Sequence, residues 1–467
     1  MSKKESLWEE VVNLSWKQNS EYVIYNVRTY DFHSYEEDVF VHFHKKVKHI
    51  GPMVDFDLYK ESLLKVNGIE VNYIDGNKHL LMPSLIASHT HIYSTFSRGM
   101  SVEFNPHSFQ ELLDQLWWKL DSKLDHETTY LSGLVSGLDF VKNGVTTIFD
   151  HHASGIDIPG VLDSLSKAVC SDVGMRGGFC FETSDRFDID ECINENVRFR
   201  KDNHKSKNKF GLFGFHASMS LSDETLRKVK DTIASKPIHI HVAESIEDQE
   251  HCIKTYGMRV IERLDAFGLL NKGSILAHCI YINDKEAEII AKRQCYVALN
   301  PTSNMNNSVG LPNTTLLKKH NIKCFIGNDG MTTDITSEWR NLLFSMHYQT
   351  NSPIGFDLSD LHKMILNSYE YASESLHCKL GKIEEGYKSD LMLIAYEPPT
   401  PMNAGNALGH IVFGLSHSLK PKHVWCNGIN LVESYELNND RYQKILPKLE
   451  NIREVTSNLW DRVNGRS

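Results

Sequence analysis

Apolar and polar positions change their pattern several times along the 467-residue chain. In residues 1–20 charged residues separate the apolar ones at helical spacing, which predicts a short amphipathic helical extension. From 21 to 83, short runs such as Val39-Phe40-Val41-His42-Phe43 are broken by polar turns, which is typical of a small sheet. Residues 379–436 return to strand-like runs and are predicted to complete the same small β-sandwich, and residues 437–467 are predicted to form a C-terminal helix.

Residues 84–378 carry a different pattern, in which short apolar runs alternate with longer helix-periodic segments. Such alternation is typical of βαβ units and a parallel sheet. Eight runs are found, and they begin at Leu85, Val145, Met175, Phe210, Ile238, Ile275, Tyr296 and Lys323. Because polar residues with catalytic potential follow these runs, the sequence predicts an α/β fold, namely a (β/α)8 TIM-like barrel that carries the small β-sandwich.

Composition narrows the class of partner. Hydrophobic residues at 41% and charged residues at 24% are typical of a globular protein, and no apolar run approaches the roughly 18 residues of a membrane span. A net charge of -10 without a basic tract argues against nucleic acid as a partner. Nine cysteines without a CxxC pair predict reduced thiols, and acidic residues within the first ten positions argue against a secretory signal. Together they predict a cytoplasmic protein. We therefore expect a small-molecule substrate and no membrane partner.

The first chemical signal is His89-Thr90-His91 at the end of the first barrel run. Residues i and i+2 of a strand project to the same face, so the two imidazoles can converge on one cation. Taken alone, this pair is equally compatible with two surface histidines. His241 ends the fifth run and supplies a third imidazole, while His239, on the same side of that strand, is the competing candidate.

Three more strand-end residues complete a candidate site. Glu244 follows His241 and can carry protons, although a carboxylate there can also serve a helix N-terminus. Asp329 can ligate a cation and take a proton from water, and His278 can orient the attacking hydroxide or polarise the group under attack. A carboxylate with three imidazoles suits zinc or ferrous iron with one position open for water. Such residues at the ends of four different strands are not explained by separate structural roles.

Together these residues resemble the amidohydrolase superfamily, in the aminohydrolase and chlorohydrolase branch that includes guanine and adenosine-type deaminases. The resemblance extends to Met82-Pro83 before the first barrel run and to Gly381–Leu391, which is similar to the turn where these enzymes re-enter their small β-sandwich. Within that branch, the segments at 93–100, 116–121, 150–154 and 303–307 are similar to the aminohydrolases labelled SsnA.

The resemblance implies roles for the strand-end residues. It implies that the metal ligands are His89, His91, His241 and Asp329. It also implies that Glu244 and His278 are the pair that handles protons. One zinc ion per chain is expected, with ferrous iron as the alternative. Members with two metals carry a carboxylated lysine at the end of the fourth strand, where this chain has His216, so one metal is implied and His216 is expected to contact the substrate. The resemblance also implies a homodimer.

Other candidate substrate contacts each have a structural alternative; they are Arg98, Trp117, His151, His152 and Asn304. Arg98 can clamp an anionic or carbonyl group, or pair with a nearby acid. Trp117 can stack on a planar ring, but of the adjacent Trp117 and Trp118 we expect at most one in the pocket. The two histidines can bind substrate or support the metal ligands, and Asn304 can instead fix loop geometry.

Three positions depart from the pattern of the superfamily, namely Leu299 before Asn-Pro, Asn328 before Asp329, and Ser84 after Pro83. None removes a metal ligand, but strand-end positions shape the pocket, so they limit inference of the substrate. The expected function is hydrolytic deamination of a purine-like or other N-heteroaromatic compound. The alternatives are a chlorohydrolase or cyclic-amide hydrolase on the same site, and a non-catalytic assembly protein, which the intact ligand positions disfavour.

Overall fold

The computed structural model describes residues 20–65, 70–233 and 236–466. The described residues form two compact units, one of residues up to 84 with 378–441 and the other of residues 85–377 with those from 442 onward. Of the helical extension predicted for residues 1–20, all but Ser20 lies outside the described residues. Within the described residues, no helix is both long enough and apolar enough to cross a membrane.

In the part of the first unit that the structure describes, the strands form a nine-stranded sheet. Its strands are Glu21–Tyr30, Tyr35–Phe43, Val47–Pro52, Val71–Asp75, Leu80–Pro83, Leu391–Ile394, Pro421–Cys426, Ile429–Glu433 and Glu436–Leu437. The two chain segments of this unit pair where Leu80–Pro83 runs antiparallel to Leu391–Ile394. Ile24, Leu81 and Trp425 belong to one buried apolar cluster, so residues from both segments share a core.

Among the described residues, the second unit contains nine parallel strands in two sheets. They are β1 (Leu85–Thr90), β2 (Val145–His152), β3 (Arg176–Phe181) and β4 (Lys209–Gly211) in one sheet, and β5 (Phe213–Ala217), β6 (Ile238–Val242), β7 (Ile275–His278), β8 (Tyr296–Leu299) and β9 (Lys323–Ile326) in the other. Isolated parallel bridges join the sheets at both edges, between Thr90 and Asp329 and between Thr183 and Phe215.

This arrangement confirms the predicted barrel class, because each of the eight apolar runs forms a strand and successive strands within each sheet pair in parallel. The fourth run differs in detail. It divides at Leu212 into β4 and β5, so its first half pairs with β3 and its second half with β6. The run therefore supplies one strand to each sheet.

Helices connect the barrel strands. The longer ones are His126–Lys142, Val161–Ser166, Ile189–Asn203, Asp223–Ile233, Ile246–Tyr256, Val260–Ala266, Asp284–Arg293, Pro301–Asn306, Thr314–Lys319, Ile335–Thr350 and Leu358–Ser375. Side-chain oxygens of Asp125, Ser245, Asn283 and Asp357 accept backbone N–H groups at four of the N-termini and satisfy donors that would otherwise lack partners.

The C-terminal segment corrects the prediction of one helix. It forms three short helices, at Asn439–Tyr442, Leu446–Leu449 and Ile452–Val463. Pro447 stands at the start of the middle one, where its missing N–H is tolerated, but it cannot continue a helix that begins several residues earlier. The chain is therefore helical here, in separate pieces.

Candidate metal centre and substrate cavity

The C-terminal ends of the barrel strands bring the predicted metal ligands together. His89 and His91 lie at the end of β1, His241 lies on β6, and Asp329 follows β9. The ligand atoms of His89, His91 and His241 all lie within 4.8 Å of one another, as do those of His89, His278 and Asp329. Parallel strands make this possible, because their carboxyl ends meet at one end of the barrel.

The spacing of these atoms fits a cation. His91 Nε2 lies 3.1 Å from His241 Nε2 and 3.1 Å from Asp329 Oδ1, while His89 Nε2 lies 3.9 Å from the same carboxylate oxygen. His89 Nε2 is buried and has no hydrogen-bond partner among the described residues. A buried nitrogen without a partner is costly, so its position beside two imidazoles and a carboxylate is what a metal ligand requires.

The other nitrogens of these imidazoles fix their tautomers. His91 Nδ1 donates to the His151 carbonyl oxygen at 2.7 Å, and His241 Nδ1 donates to the His216 carbonyl oxygen at 3.0 Å. When the imidazole is neutral and its proton is held on Nδ1, each Nε2 has a lone pair directed at the shared centre. His239, the competing candidate, instead contacts His89 Nδ1 through its Nε2 at 2.8 Å and therefore supports a ligand from behind.

Glu244 and His278 lie beside this group of ligands. His278 Nε2 is 3.5 Å from Glu244 Oε2 and 3.6 Å from Asp329 Oδ2. His278 Nδ1 donates to Asn304 Oδ1 at 2.7 Å, which leaves Nε2 facing the two carboxylates. Burial raises the pKa of Glu244 to about 7, so its carboxyl group can hold a proton near neutral pH.

Asp329 is electrostatically different from Glu244. Burial acts to raise the pKa of Asp329, but the hydrogen bond to His91 and the charge of that imidazole outweigh burial and lower the pKa well below its usual value. Asp329 is therefore held as a carboxylate, the form that a cation requires. Two carboxyl groups in one site thus have pKa values displaced in opposite directions, a pattern common at catalytic sites.

The backbone is strained at these residues. Ala243, His278 and Asp329 have φ values of 46°, 69° and 52°, in the left-handed region that favours glycine. Such conformations cost on the order of 1 kcal/mol or more and cluster at functional sites. Here they occur where β6, β7 and the segment after β9 turn away from the barrel, so they direct the side chains of this site.

A cavity of about 570 Å³, including its open mouth, lies over the group of ligands. Its walls are largely aromatic and apolar, with contributions from Tyr93, Phe109, Leu113, Trp117, Trp118 and Met331. Polar residues line the rest of the cavity, among them His216, Glu182 and Asn307. A concave site that combines apolar walls with converging polar groups is typical of small-molecule binding, and flat aromatic walls suit a planar ring.

Two of the predicted substrate contacts line this cavity. His216 lies at its wall, with Nδ1 2.7 Å from Ser220 Oγ, and burial lowers the pKa of His216 to about 4. Trp117 also lines the cavity, but so does Trp118, and the expectation that at most one of them does so is wrong. The chain passes from a π-helical turn, Leu113–Trp117, into an α-helical turn at Trp118, so the regular α-helical spacing assumed from sequence does not apply.

Four predicted contacts do not line the cavity, namely Arg98, His151, His152 and Asn304. The Arg98 side chain is 53% exposed and forms an ion pair with Asp139 at 2.9 Å, which is the alternative to substrate binding given for it above. Strand β2 continues through His152, so both histidines are buried in the barrel wall, where His151 Nε2 contacts the Phe215 carbonyl oxygen at 2.9 Å. Asn304 lies behind His278 and positions it.

Sequence reasoning missed a charged group at the cavity wall. Glu182 directly follows β3, and Asp121 is the last residue of the short helix Trp118–Asp121. Arg186 joins them: it donates to both oxygens of Asp121, at 3.1 and 2.9 Å, and to Glu182 Oε1 at 2.9 Å. Burial acts to raise the pKa of Glu182, but His216 and other neighbours lower it well below its usual value. Glu182 could have been found from the sequence, because it directly follows a predicted barrel strand, as the metal ligands do. Asp121 could not, because only the tertiary fold brings it close to Glu182.

A parallel barrel with imidazoles and a carboxylate gathered at the C-terminal ends of its strands defines the class of metal-binding barrel enzymes. Within that class, the model of the amidohydrolase family matches residues 80–430 of this chain. The chain therefore belongs to the amidohydrolase family.

Individual proteins agree with this assignment. A 5′-deoxyadenosine deaminase of Methanococcus maripaludis strain C7 is 27% identical over 368 residues, which cover 76% of this chain and 84% of the relative. A 5-methylthioadenosine/S-adenosylhomocysteine deaminase of Thermococcus sibiricus is 27% identical over 351 residues, covering 73% and 80%. The crystal structure of an adenosine deaminase from Xanthomonas campestris with bound zinc has a TM-score of 0.78 at 18% identity and covers 94% of this chain and 99% of that one.

Proposed function

We propose that this protein is a hydrolytic deaminase that replaces the amino group of a purine-like or other N-heteroaromatic compound with oxygen from water and releases ammonia. The observation that carries the proposal is the position of Glu244, whose carboxyl group can hold a proton near neutral pH and lies 3.5 Å from His278, beside the three-histidine group. The two curated relatives described above are deaminases of adenosine-type compounds, which supports the same reaction class.

One zinc ion per chain is the cofactor we propose, with ferrous iron as the alternative. His89, His91, His241 and Asp329 would hold it, since the unpartnered Nε2 of His89 and the short distances of the other ligand atoms fit one cation. His216 stands at the end of the fourth predicted strand, where two-metal enzymes of the family need a lysine, which supports a single metal. A zinc ion held by these residues would supply Lewis acidity, which makes water easier to deprotonate near neutral pH.

The protein's own residues divide the remaining work. Asp329, held as a carboxylate, accepts a proton from the attacking water. His278, held by Asn304 on its Nδ1 side, presents Nε2 to the reacting oxygen. Glu244 donates its proton to the ring nitrogen beside the carbon under attack, so that the ring accepts electron density there. The proton taken up by Asp329 then passes to the amino group, which leaves as ammonia, and the remaining hydroxyl proton of the product returns to Glu244 as the carbonyl forms. Trp117 and Trp118 contact the faces of the planar ring and exclude water.

The same residues can serve hydrolysis without deamination, by expelling chloride or opening a cyclic amide, and this is the second candidate function. A non-catalytic assembly role is disfavoured because all the proposed ligand positions are present. A homodimer, a cytoplasmic location and closeness to the aminohydrolases labelled SsnA stay predictions, and sedimentation of the purified protein would test the first.

The test is ammonia release by full-length protein of measured metal content, across adenosine, 5′-deoxyadenosine, adenine, guanine, cytosine, pterins and aminotriazines. We expect release from at least one compound, and a loss of about 100-fold or more in the Glu244→Gln variant, because general acid catalysis contributes on this scale. The matched control is Glu250→Gln, an exposed glutamate on the next helix. Chloride or ring-opened product without ammonia would favour the second candidate.

A further inference from the structure

Glu182 is a buried carboxylate at the cavity wall that the proposed chemistry does not use. Glu182 is 2% exposed, and its Oε1 accepts a hydrogen bond from Arg186 at 2.9 Å. The other oxygen, Oε2, lies 3.6 Å from His151 Nδ1, which is longer than a hydrogen bond. One oxygen is thus fixed by the protein while the other keeps acceptor capacity beside the cavity.

A second cation does not explain this arrangement. His151, Glu182 and His241 offer ligand atoms within 4.8 Å of one another. However, His241 Nδ1 donates to the His216 carbonyl oxygen, so only Nε2 has a lone pair, and that nitrogen belongs to the first group of ligands. One imidazole nitrogen ligates one cation, so the group cannot hold a second metal beside the first.

The charges of the cavity wall limit what can bind. Four carboxyl groups face the cavity, from Asp121, Glu182, Glu244 and Asp329, and its wall includes no lysine or arginine within the described ranges. Arg186 lies next to the wall but donates to Asp121 and Glu182, and its guanidinium stacks 4.4 Å from the Trp118 ring. No cationic side chain of the described wall is therefore available to a phosphate or carboxylate of a ligand.

We propose that Glu182 recognises the substrate by accepting a hydrogen bond from one of its N–H or O–H groups, and that the cavity selects uncharged purine bases or nucleosides over phosphorylated ones. The proposal rests on the proposed function, because it assumes that the substrate ring occupies this cavity. Arg186 is a positioning residue, since it fixes the carboxylates of Glu182 and Asp121 and covers one face of Trp118.

The experiment measures binding, so it does not depend on turnover. Calorimetry with the zinc-loaded full chain compares hypoxanthine, inosine and inosine 5′-monophosphate. We expect the protein to bind the tighter of the two uncharged ligands with about 100-fold higher affinity than the monophosphate. The reason is that a phosphate placed near the Glu182 carboxylate brings like charges together, which costs several kcal/mol in an interface. In Glu182→Gln, which keeps the shape but removes the charge, the affinity for the uncharged ligand should fall about 10-fold and the preference over the monophosphate should narrow. Glu191→Gln, an exposed glutamate after the same strand, is the control.

Three outcomes would overturn the inference: equal affinity for inosine and its monophosphate, no binding of any of the three ligands, or a folded Glu182→Gln variant with the wild-type preference. If that variant does not fold, the preference of the wild-type protein decides. If the preference for uncharged ligands depends on Glu182 but no compound releases ammonia, ligand recognition by Glu182 is supported and the proposed function is refuted. Ammonia release without that preference would refute recognition alone.

Discussion

Replacing Asn304 with alanine tests whether His278 acts through a fixed tautomer. Asn304 Oδ1 accepts the His278 Nδ1 proton at 2.7 Å, and both side chains are fully buried. The variant leaves that proton without its acceptor and allows the imidazole to rotate or to exchange tautomers. No proposed metal ligand is hydrogen-bonded to Asn304 among the described residues. The substitution therefore tests the proton-handling residues without removing a hydrogen bond from a proposed metal ligand.

The expected magnitude follows from the contact. Leaving a buried donor unsatisfied costs about 1–3 kcal/mol. If that cost falls on the transition state, kcat decreases by roughly 5- to 150-fold, since 1.36 kcal/mol is tenfold in rate. The KM should change little, because Asn304 does not line the cavity.

The assay is steady-state ammonia release, with zinc content and thermal unfolding measured on the same preparation. Asn458→Ala is the matched control, because it makes the same substitution at an exposed asparagine of the helix Ile452–Val463. A folded, zinc-loaded Asn304→Ala variant with wild-type kcat would show that the orientation of His278 is not set by this hydrogen bond, and the role given to His278 would have to be withdrawn.

Three further predictions concern the ligands, the acid and a corrected contact. His241→Ala should lose bound zinc, whereas His239→Ala should keep it with affinity lowered about 10- to 100-fold, as measured by metal titration; equal loss would restore His239 as a ligand. With a pKa of about 7, Glu244 is protonated below that pH and loses its proton above it, so kcat/KM should fall by up to about tenfold per pH unit above 7, and a profile flat to pH 9 would contradict its role as acid. Arg98→Ala should leave KM unchanged and alter unfolding free energy by less than about 1 kcal/mol, as expected for an exposed ion pair.

The barrel was predictable because its information is local. Each apolar run is bounded by polar residues, and the eight runs correspond to strands, although the fourth is divided at Leu212. The convergence of His89, His91, His241, His278 and Asp329 follows from strand-end position alone, given parallel strands. The identity of the bound metal and the roles of these residues do not follow from position and stay proposals.

The cavity wall was predicted less well, for physical reasons that differ by residue. Arg98 has an acid within reach, and sequence cannot choose between that ion pair and a ligand. His151 and His152 depend on where β2 ends, and element ends are poorly determined by pattern. Asp121 reaches Glu182 only through Arg186, a contact between residues far apart in the chain that no local pattern records.

The two parts of the site are built from different materials, and this explains their different predictability. His91 and His241 are oriented by carbonyl oxygens of β2 and β5, the strands that pair with their own, so the ladder itself fixes two proposed ligands whatever side chains surround them. The cavity wall is instead made of side chains on loops and short helices, such as Trp117 and Glu182. Substitution can therefore change the substrate without disturbing the metal geometry, which is how one barrel supports many specificities. The side-chain contacts His89–His239 and His278–Asn304 are the exceptions, and it is through them that substitution would reach the chemistry itself.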